Sequence, residues 1–503
     1  MTPQPDPVLV DRLREDLATT GFSVVGVEEL IGPMAADALH REEAVPALRA
    51  LASSTEPLAA LVGAFLLGRT VPRAAMASAL PTLGVDGAQR LGLVESTADE
   101  AHALVDLRPY TALDGHGEVD WWIASDLGEL ATGRALRTDH VLGVGGASTT
   151  LAQVTVRTSV DRVLDLGTGC GIQALHASRH ARHVVATDIS RRALDFAAFN
   201  AALAGATFDL RLGSMLEPVA DEAFDLVVSN PPFVITPRDA DVPAYEYRDG
   251  GRSGDAIVRD LITGVGAVLA PGGVAQLLGN WEVRRGESWD ERVGRWLDES
   301  GLDGWVVQRE LQDPAQYAET WIRDGGTTPE REPDAWRARY GAWLDDFASR
   351  DVEGIGFGIV TLRRPTGAPT LRRLEEVTGT VQQPLGPAIA AALSAQTWFA
   401  EHDDAALAAA RLVVAPDVTE ERYLTPGAVD PQVVLLRQGG GFGRAVQAGT
   451  ALAGLVGACD GDLTVGQIVG ALAALLGVAA DDVAADVLPS VRGLVRDGLL
   501  TRS

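Results

Sequence analysis

The sequence contains no lysine, so the combined count of 42 lysine and arginine residues consists of arginine alone. Schiff-base catalysis, attachment of pyridoxal phosphate and a phosphate-loop lysine are therefore excluded. Cysteine is nearly absent too, because Cys170 and Cys459 are the only two and lie far apart in the chain. We therefore expect no disulfide framework, and we expect a location in the reducing cytoplasm.

Long apolar runs and a positive net charge are also missing. The longest apolar runs, near residues 59–68 and 470–480, are shorter than the ~20 residues that a membrane-spanning helix needs. Residues 1–7 show no basic stretch followed by an apolar one, so no secretory signal is predicted. The net charge of −27 disfavours broad, non-specific binding to nucleic acid.

The composition is that of an ordinary globular protein, with 46% hydrophobic and 22% charged residues. A chain of 503 residues is long enough for about three domains. Residues 1–104 carry apolar positions at helical spacing and predict a helical domain. Residues 105–368 open with a strand pair and continue as alternating strands and helices. Residues 369–503 predict a small, mainly helical domain that resembles a winged-helix-like module.

The alternating pattern of the middle region predicts an α/β fold, in which a mostly parallel sheet is covered by helices on both faces. We place strands at 162–166, 183–187, 208–212, 224–229, 274–278, 304–307 and 356–362, and helices at 191–203, 255–269 and 289–299. A long excursion before the last strand, residues 313–354, contains two helix-like pieces and exceeds what a simple hairpin needs.

A glycine-rich turn follows the first strand of this region, in the run Val163–Gly171. The glycines allow the backbone to turn sharply beneath a ligand, and Asp188 ends the next strand, where an acid receives ribose hydroxyls. The G-x-G-x-G spacing, with an acid before it, favours S-adenosylmethionine over NAD. The predicted cofactor-binding residues are Asp165, Gly167, Thr168, Gly169, Gly171, Asp188, Ile189, Ser214, Met215 and Asn230.

A second motif, Asn230-Pro231-Pro232-Phe233, follows a buried strand and predicts the acceptor site. The prolines fix the backbone and leave their carbonyls free to accept hydrogen bonds. A planar NH2 group can then donate to the Asn230 side-chain oxygen and to the Pro231 carbonyl. Phe233 can stack on the flat face of an amide or a nucleobase. These four residues are the predicted catalytic set, and no metal or strong general base is required.

Together, the two motifs resemble those of the small-domain class I S-adenosylmethionine-dependent methyltransferases. This group includes the enzymes that methylate protein glutamine and those that methylate exocyclic amines of ribosomal or transfer RNA. The resemblance implies a seven-stranded Rossmann-like sheet whose last strand is antiparallel. Phe233 is common among the RNA enzymes, whereas the glutamine enzymes usually have tyrosine there. The segment Tyr247–Asp255, however, resembles the one that follows the motif in the glutamine enzymes.

Outside the two motifs, Tyr245, Tyr247 and Arg248 are candidates for a lid over the acceptor, and Trp281 is a candidate wall because it follows a sheet strand. His176 and His180 lie one helical turn apart but lack further ligands in range. We therefore predict a solvated helix face there rather than a metal site.

The sequence thus predicts an N-methyltransferase acting on a macromolecule, and its acidity favours a protein over RNA. The resemblance implies that the acceptor on such a protein is a glutamine side chain. An RNA base is the main alternative. A small-molecule methyltransferase and an inactive methyltransferase-fold binding module remain open.

Overall fold

The structure is a computed structural model that describes residues 2–133, 136–238 and 245–503. The chain forms two compact units, one made of residues 1–152 and 159–376 and the other of 153–158 and 377–503. Within the described residues, no helix is both long and apolar enough to cross a membrane.

The amino-terminal part of the first unit is mostly helical. Pro33 and Pro57 stand at the first positions of two of its short helices, where a missing N–H is tolerated. Its elements are α1 (Pro7–Thr19), α2 (Val24–Ile31), α3 (Pro33–Leu39), α4 (Val45–Leu51), α5 (Pro57–Leu61), a π-helical turn (Val62–Leu66), β1 (Val71–Pro72), α6 (Arg73–Ala79), α7 (Gly84–Arg90), β2 (Val94–Ser96) and β3 (Glu100–Ala103).

A hairpin, β4 (Asp106–Asp114) and β5 (Gly117–Ser125), follows where the sequence predicts a strand pair. The short α8 (Glu129–Thr132) and then α9 (Gly146–Val154) lead from it toward the large sheet. One hydrophobic core contains Phe22 and Phe65 of the amino-terminal region together with Phe196 and Phe199 of the helix that covers the sheet. The predicted boundary between residues 104 and 105 therefore lies inside one compact unit, because the two regions bury their apolar faces against each other.

The large sheet confirms the α/β class. Its strands are β6 (Val160–Leu166), β7 (Ala181–Asp188), β8 (Asp209–Leu212), β9 (Phe224–Ser229), β10 (Leu269–Arg284), β11 (Asp303–Gln312), β12 (Val352–Arg363) and β13 (Arg372–Glu376), in the order β13-β11-β12-β10-β9-β6-β7-β8. β12 runs antiparallel to both neighbours, as the resemblance implies. Within the described residues the sheet has eight strands instead of seven, because β13 pairs in parallel with β11 at the sheet edge.

Helices cover both faces of this sheet. They are α10 (Ile172–Ala177), α11 (Arg191–Ala204), α12 (Ala256–Gly264), α13 (Trp289–Ser300), α14 (Pro314–Asp324) and α15 (Pro333–Ala348), with short 3-10 turns at Glu217–Val219 and Val265–Val268. α14 and α15 form the excursion before β12, as predicted. The prediction of a solvated face at His176 is wrong: its buried ring lies 3.0 Å from Asp114 and 3.0 Å from the Tyr110 hydroxyl, which ties α10 to the hairpin.

The second unit has more helix than strand, and its apolar residues form one core. It contains α16 (Gly386–Glu401), α17 (Asp404–Ala409), β14 (Arg411–Val414), β15 (Val418–Tyr423), β16 (Val433–Gln438), β17 (Ala445–Gln447), α18 (Thr450–Gly457), β18 (Asp460–Thr464), α19 (Val465–Leu476), α20 (Ala480–Arg496) and β19 (Leu500–Arg502). The strands pair as two small sheets, β18-β14-β19 and β15-β16-β17.

Candidate functional site

The glycine-rich turn lies at the carboxyl end of β6, and its three glycines serve different purposes. Gly167 (φ +75°) and Gly169 (φ +55°) have conformations that L side chains rarely adopt, and a Cβ on either would meet no protein atom within 4 Å. Gly171 (φ +88°) instead packs against α11, where a Cβ would lie 3.2 Å from the Cα of Ala197. The first two glycines thus leave open space above the turn, and the third lets the helices approach.

Asp188 ends β7 and holds this turn from the neighbouring strand. Its carboxylate accepts a hydrogen bond from the Gly169 amide at 2.9 Å and another from the Ser190 amide at 2.8 Å. Burial raises the pKa of Asp188 above its usual range. Each oxygen keeps capacity to accept a second donor, as a ribose diol requires.

Asp165 lies behind the turn and is fully buried. Its Oδ2 accepts hydrogen bonds from the Thr168 hydroxyl at 2.6 Å and from the Ala174 amide at 2.9 Å, whereas Oδ1 has no partner among the described residues. Burial raises the pKa of Asp165 to about 7. The carboxyl therefore supports the turn from beneath and does not line the space above it, which differs from the predicted direct cofactor contact.

A cavity of about 350 Å³ opens above the turn, within the size range of small-molecule sites. The predicted residues that line it are Gly167, Thr168, Gly169, Asp188, Ile189, Ser214, Met215, Asn230, Pro231, Pro232 and Tyr247. The predicted residues that do not line it are Asp165, Gly171, Phe233, Tyr245, Arg248 and Trp281. The structure therefore brings the glycine turn and the Asn-Pro-Pro corner together around one space.

Asn230 follows β9 directly, and strand pairing sets Ser229 beside Leu166 at the end of β6. The side-chain Oδ1 of Asn230 is buried and accepts no hydrogen bond within the described parts of the chain. A buried acceptor without a donor is unfavourable by about 1–3 kcal/mol. Because Asn230 also lines the cavity, a ligand there that supplies an N–H or O–H group would relieve this cost.

Phe233 is buried next to the corner rather than exposed to the cavity. Its ring centroid lies 5.6 Å from that of Phe357 on β12, and its backbone forms an isolated bridge with Asp249. Asp249 in turn accepts hydrogen bonds from the Thr236 hydroxyl and the Tyr245 amide. The contacts of Phe233 in this structure are thus with the protein, and its stacking on an acceptor stays a prediction.

The predicted lid residues are anchored to the end of α14. The Tyr247 hydroxyl donates to Asp324 at 3.0 Å, and the buried Arg248 guanidinium lies 2.6 Å from the same carboxylate. Arg248 also donates to the Trp321 carbonyl at 2.9 Å and stacks over the Tyr245 ring at 4.6 Å. Burial raises the pKa of Tyr247, which keeps its hydroxyl protonated. Only Tyr247 of the three lines the cavity.

We expect Asp324→Ala to lower the free energy of unfolding by about 1–3 kcal/mol, because the buried Arg248 loses its closest carboxylate. Chemical denaturation measures this change. Asp334→Ala is the matched control on the same excursion: its side chain is 98% exposed and pairs with Arg337. Surface pairs of this kind contribute at most about 0.5 kcal/mol. Equal losses in the two variants would contradict the anchoring role.

Trp281 is a core residue, so its predicted place on the cavity wall is wrong. Its indole is fully buried, donates to the Gln308 side chain at 2.8 Å and stacks on Trp289 at 5.7 Å. Gly356 and Gly358 on β12 leave room for this ring, since a Cβ on either would approach it to less than 3 Å. The side chain points into the sheet's packing face instead of past the strand end.

His140 and Glu246 are among the cavity residues that lie outside both motifs. His140 is buried, lines the cavity, and its ring centroid lies 6.1 Å from that of Tyr247. Burial lowers the pKa of His140, so the imidazole is neutral at pH 7. Glu246 also lines the cavity, and its amide donates to the Thr138 carbonyl at 3.0 Å. Two segments far apart in sequence thus meet over the cavity. Within the described residues, no group of potential ligands is arranged for a metal ion.

Three family models match successive parts of the chain. Residues 143–293 match the methyltransferase small domain. Residues 19–104 and 390–502 match two families described as domains of unknown function (DUF7059 and DUF7782). The segment that contains most of the cavity residues therefore matches the methyltransferase small domain, and each flanking segment matches a different family.

Curated relatives share this central segment. The ribosomal protein uL3 glutamine methyltransferase of Bradyrhizobium diazoefficiens is 32% identical over 169 residues, which are 31% of this chain and 53% of the relative. The release factor glutamine methyltransferase of Geobacter sulfurreducens is 38% identical over 123 residues, 22% of this chain and 42% of the relative. The chain thus spans about half the length of these relatives. A methyltransferase structure from Pyrococcus furiosus aligns with 15% identity and a TM-score of 0.27, covering 47% of this chain and 93% of that one.

Proposed function

We propose that the central segment of this chain is a small-domain class I methyltransferase domain and that it transfers a methyl group from S-adenosylmethionine to the side-chain nitrogen of a protein glutamine. One observation carries the proposal: Asn230 lines the cavity above the glycine turn, and its buried Oδ1 has no hydrogen-bond donor in the described structure. We place the reaction in the cytoplasm, where the free Cys170 and Cys459 stay reduced.

The residues of the cavity fit this cofactor. Gly167 and Gly169 leave the space that a nucleoside occupies, and Asp188 keeps acceptor capacity for two ribose hydroxyls. Ser214 and Met215, after β8, line the part of the cavity next to that strand. When bound, the cofactor supplies an electrophilic methyl group on a positively charged sulfur.

The acceptor nitrogen is held by Asn230 and Pro231. The Asn230 Oδ1 and the Pro231 carbonyl each accept one hydrogen of the NH2 group, which fixes the direction of the nitrogen. Both oxygens also favour the positive charge that grows on the nitrogen as the new N–C bond forms. The proton leaves the nitrogen after transfer, so the corner requires no strong base.

A protein acceptor is favoured by two observations. The relatives of the central segment are named as glutamine methyltransferases for ribosomal protein uL3 and for release factors. The net charge of −27 also opposes the approach of RNA phosphates. Phe233, where the glutamine enzymes usually have tyrosine, keeps an RNA amine as the second candidate.

The test uses labelled S-adenosylmethionine and lysate from a strain that lacks the gene. We expect label in material that protease destroys and ribonuclease does not, and no label with the Asn230→Ala variant. Label removed by ribonuclease would replace the protein acceptor with an RNA amine. A lack of macromolecular label, with cofactor binding intact, would redirect the proposal to a small molecule or to an inactive binding module.

A further inference from the structure

Helix α19 of the second unit has a buried apolar face and also exposes large apolar side chains at its carboxyl end. The inner face, represented by Val465, Ile468 and Ala473, is buried in the core of the unit. At the carboxyl end of the helix, Leu475 is 82% exposed and Leu476 is 47% exposed, and Val478 just beyond is 50% exposed. We call these three residues, together with the exposed Ala471 (one turn before Leu475) and the exposed Ala474, the α19 patch.

A cluster of this kind is unusual on a soluble protein. Single exposed leucines are common, but adjacent large apolar side chains on one surface mark an interaction site. The chain itself leaves Leu475, Leu476 and Val478 open to solvent. The patch therefore has the properties of a surface that another molecule covers.

The charges beside the patch are negative. Asp481 and Asp482 occupy the first turn of α20, next to Val478, and the exposed Asp486 follows one turn later. The sequence has no lysine, arginine or histidine between Arg444 and Arg492. Arg492 lies about 15 Å further along α20 than Asp482 and is 2.7 Å from Asp404. The residues between Arg444 and Arg492 therefore include no basic side chain that could neutralise Asp481, Asp482 or Asp486.

We propose that the α19 patch binds a segment of another protein in which apolar side chains are flanked by lysine or arginine. Apolar anchors of the partner would cover Leu475 and Val478, and its flanking cations would face Asp481 and Asp482. A second copy of this chain is disfavoured, because it would set the same aspartates against each other. Nucleic acid and anionic lipid are disfavoured for the same electrostatic reason. The inference does not depend on the proposed methyl transfer.

The test measures binding of two labelled helical peptides to the full chain by fluorescence anisotropy. Each peptide has about 16 residues and a leucine face; one is flanked by lysine and the other by glutamate. We expect the lysine peptide to bind at least about tenfold more tightly. The double variant Leu475→Glu, Val478→Glu should lose that binding, and Asp481→Asn, Asp482→Asn should reduce the preference for lysine.

Val429→Glu is the matched control, because Val429 is 90% exposed in the same unit but lies outside the patch. It should bind the lysine peptide like the unaltered chain. All replaced side chains are exposed, so thermal denaturation should show at most small losses of stability. The largest loss is expected for Asp481→Asn, Asp482→Asn, because negative charge is removed from the first turn of α20. Equal affinity for the two peptides, or binding unaffected by the double variant, overturns the proposal. Dimerisation in sedimentation velocity that the double variant abolishes would overturn it in favour of a second copy.

Discussion

Replacing Asn230 by alanine should lower turnover by at least ~100-fold and leave the affinity for S-adenosylmethionine within about threefold. The Asn230 Oδ1 is a buried acceptor without a donor in the described structure, so its removal does not disrupt an internal hydrogen bond. The cavity wall keeps the glycine turn and Asp188. The loss should therefore fall on the hydrogen bond that strengthens as charge develops on the acceptor nitrogen. Steady-state kinetics and calorimetric titration of the cofactor measure the two quantities separately.

Asn280→Ala provides a matched control for this experiment. Asn280 is another buried asparagine whose Oδ1 lacks a partner in the described structure, but it donates to the Tyr317 hydroxyl and does not line the cavity. We expect Asn280→Ala to reduce stability while turnover per folded molecule changes by less than about fivefold. If Asn230→Ala weakened cofactor binding as much as turnover, the assignment of Asn230 to the acceptor would be wrong.

The sequence predicts much of the first unit's sheet because parallel strands that are covered on both faces read as short apolar runs. β6, β7 and β9 fall where these runs place them. The same reasoning does not predict β13, because this edge strand has no apolar run. Its residues are Arg372-Arg373-Leu374-Glu375-Glu376. The sequence also does not predict the core that the amino-terminal helices share with α11. Periodicity identifies an apolar face but not the surface against which that face packs.

Residues of both motifs line the cavity, and each motif could be located from the sequence because it is local. The roles of these residues stay predictions. A strand end followed by glycines, or by Asn-Pro-Pro, positions its own backbone. The residues that the sequence misplaces depend instead on partners far along the chain. Arg248 meets Asp324 across 76 residues, and His176 meets Asp114 across 62. For His140 the only local signal is the glycine-rich entry to α9, which does not reveal that the ring lies over the cavity.

The second large effect concerns Asp165 and pH. Burial raises its pKa to about 7, from an ordinary value of 3.8. The folded chain thus binds this proton more tightly than the unfolded chain does. Protonation of Asp165 therefore contributes to the free energy of unfolding. This contribution is fully present below about pH 4 and is lost as the pH rises to about 7. Above pH 7 the group is a buried carboxylate whose Oδ1 has no partner in the described structure.

Asp165→Asn should therefore stabilise the cofactor-free chain at pH 8, by about 1–3 kcal/mol, and bring no gain at pH 4. The amide oxygen of asparagine can still accept from Thr168 and Ala174. Chemical denaturation at the two pH values measures the difference. Asp161→Asn, at an exposed position of the same strand, should show no such pH dependence. A gain that was equal at pH 4 and pH 8 would contradict the role of burial.

The same carboxyl should couple cofactor binding to a proton. Leu166 and Gly167, the next residues along the chain, line the cavity, so a cation bound there lowers the pKa of Asp165. Binding of S-adenosylmethionine near pH 7 should then release a proton and become up to about tenfold tighter between pH 6 and pH 8. Calorimetry in two buffers of different ionisation enthalpy measures the proton release, which should disappear in Asp165→Asn. Release that persisted in this variant would assign the proton to another group, such as Asp188, whose pKa burial also raises.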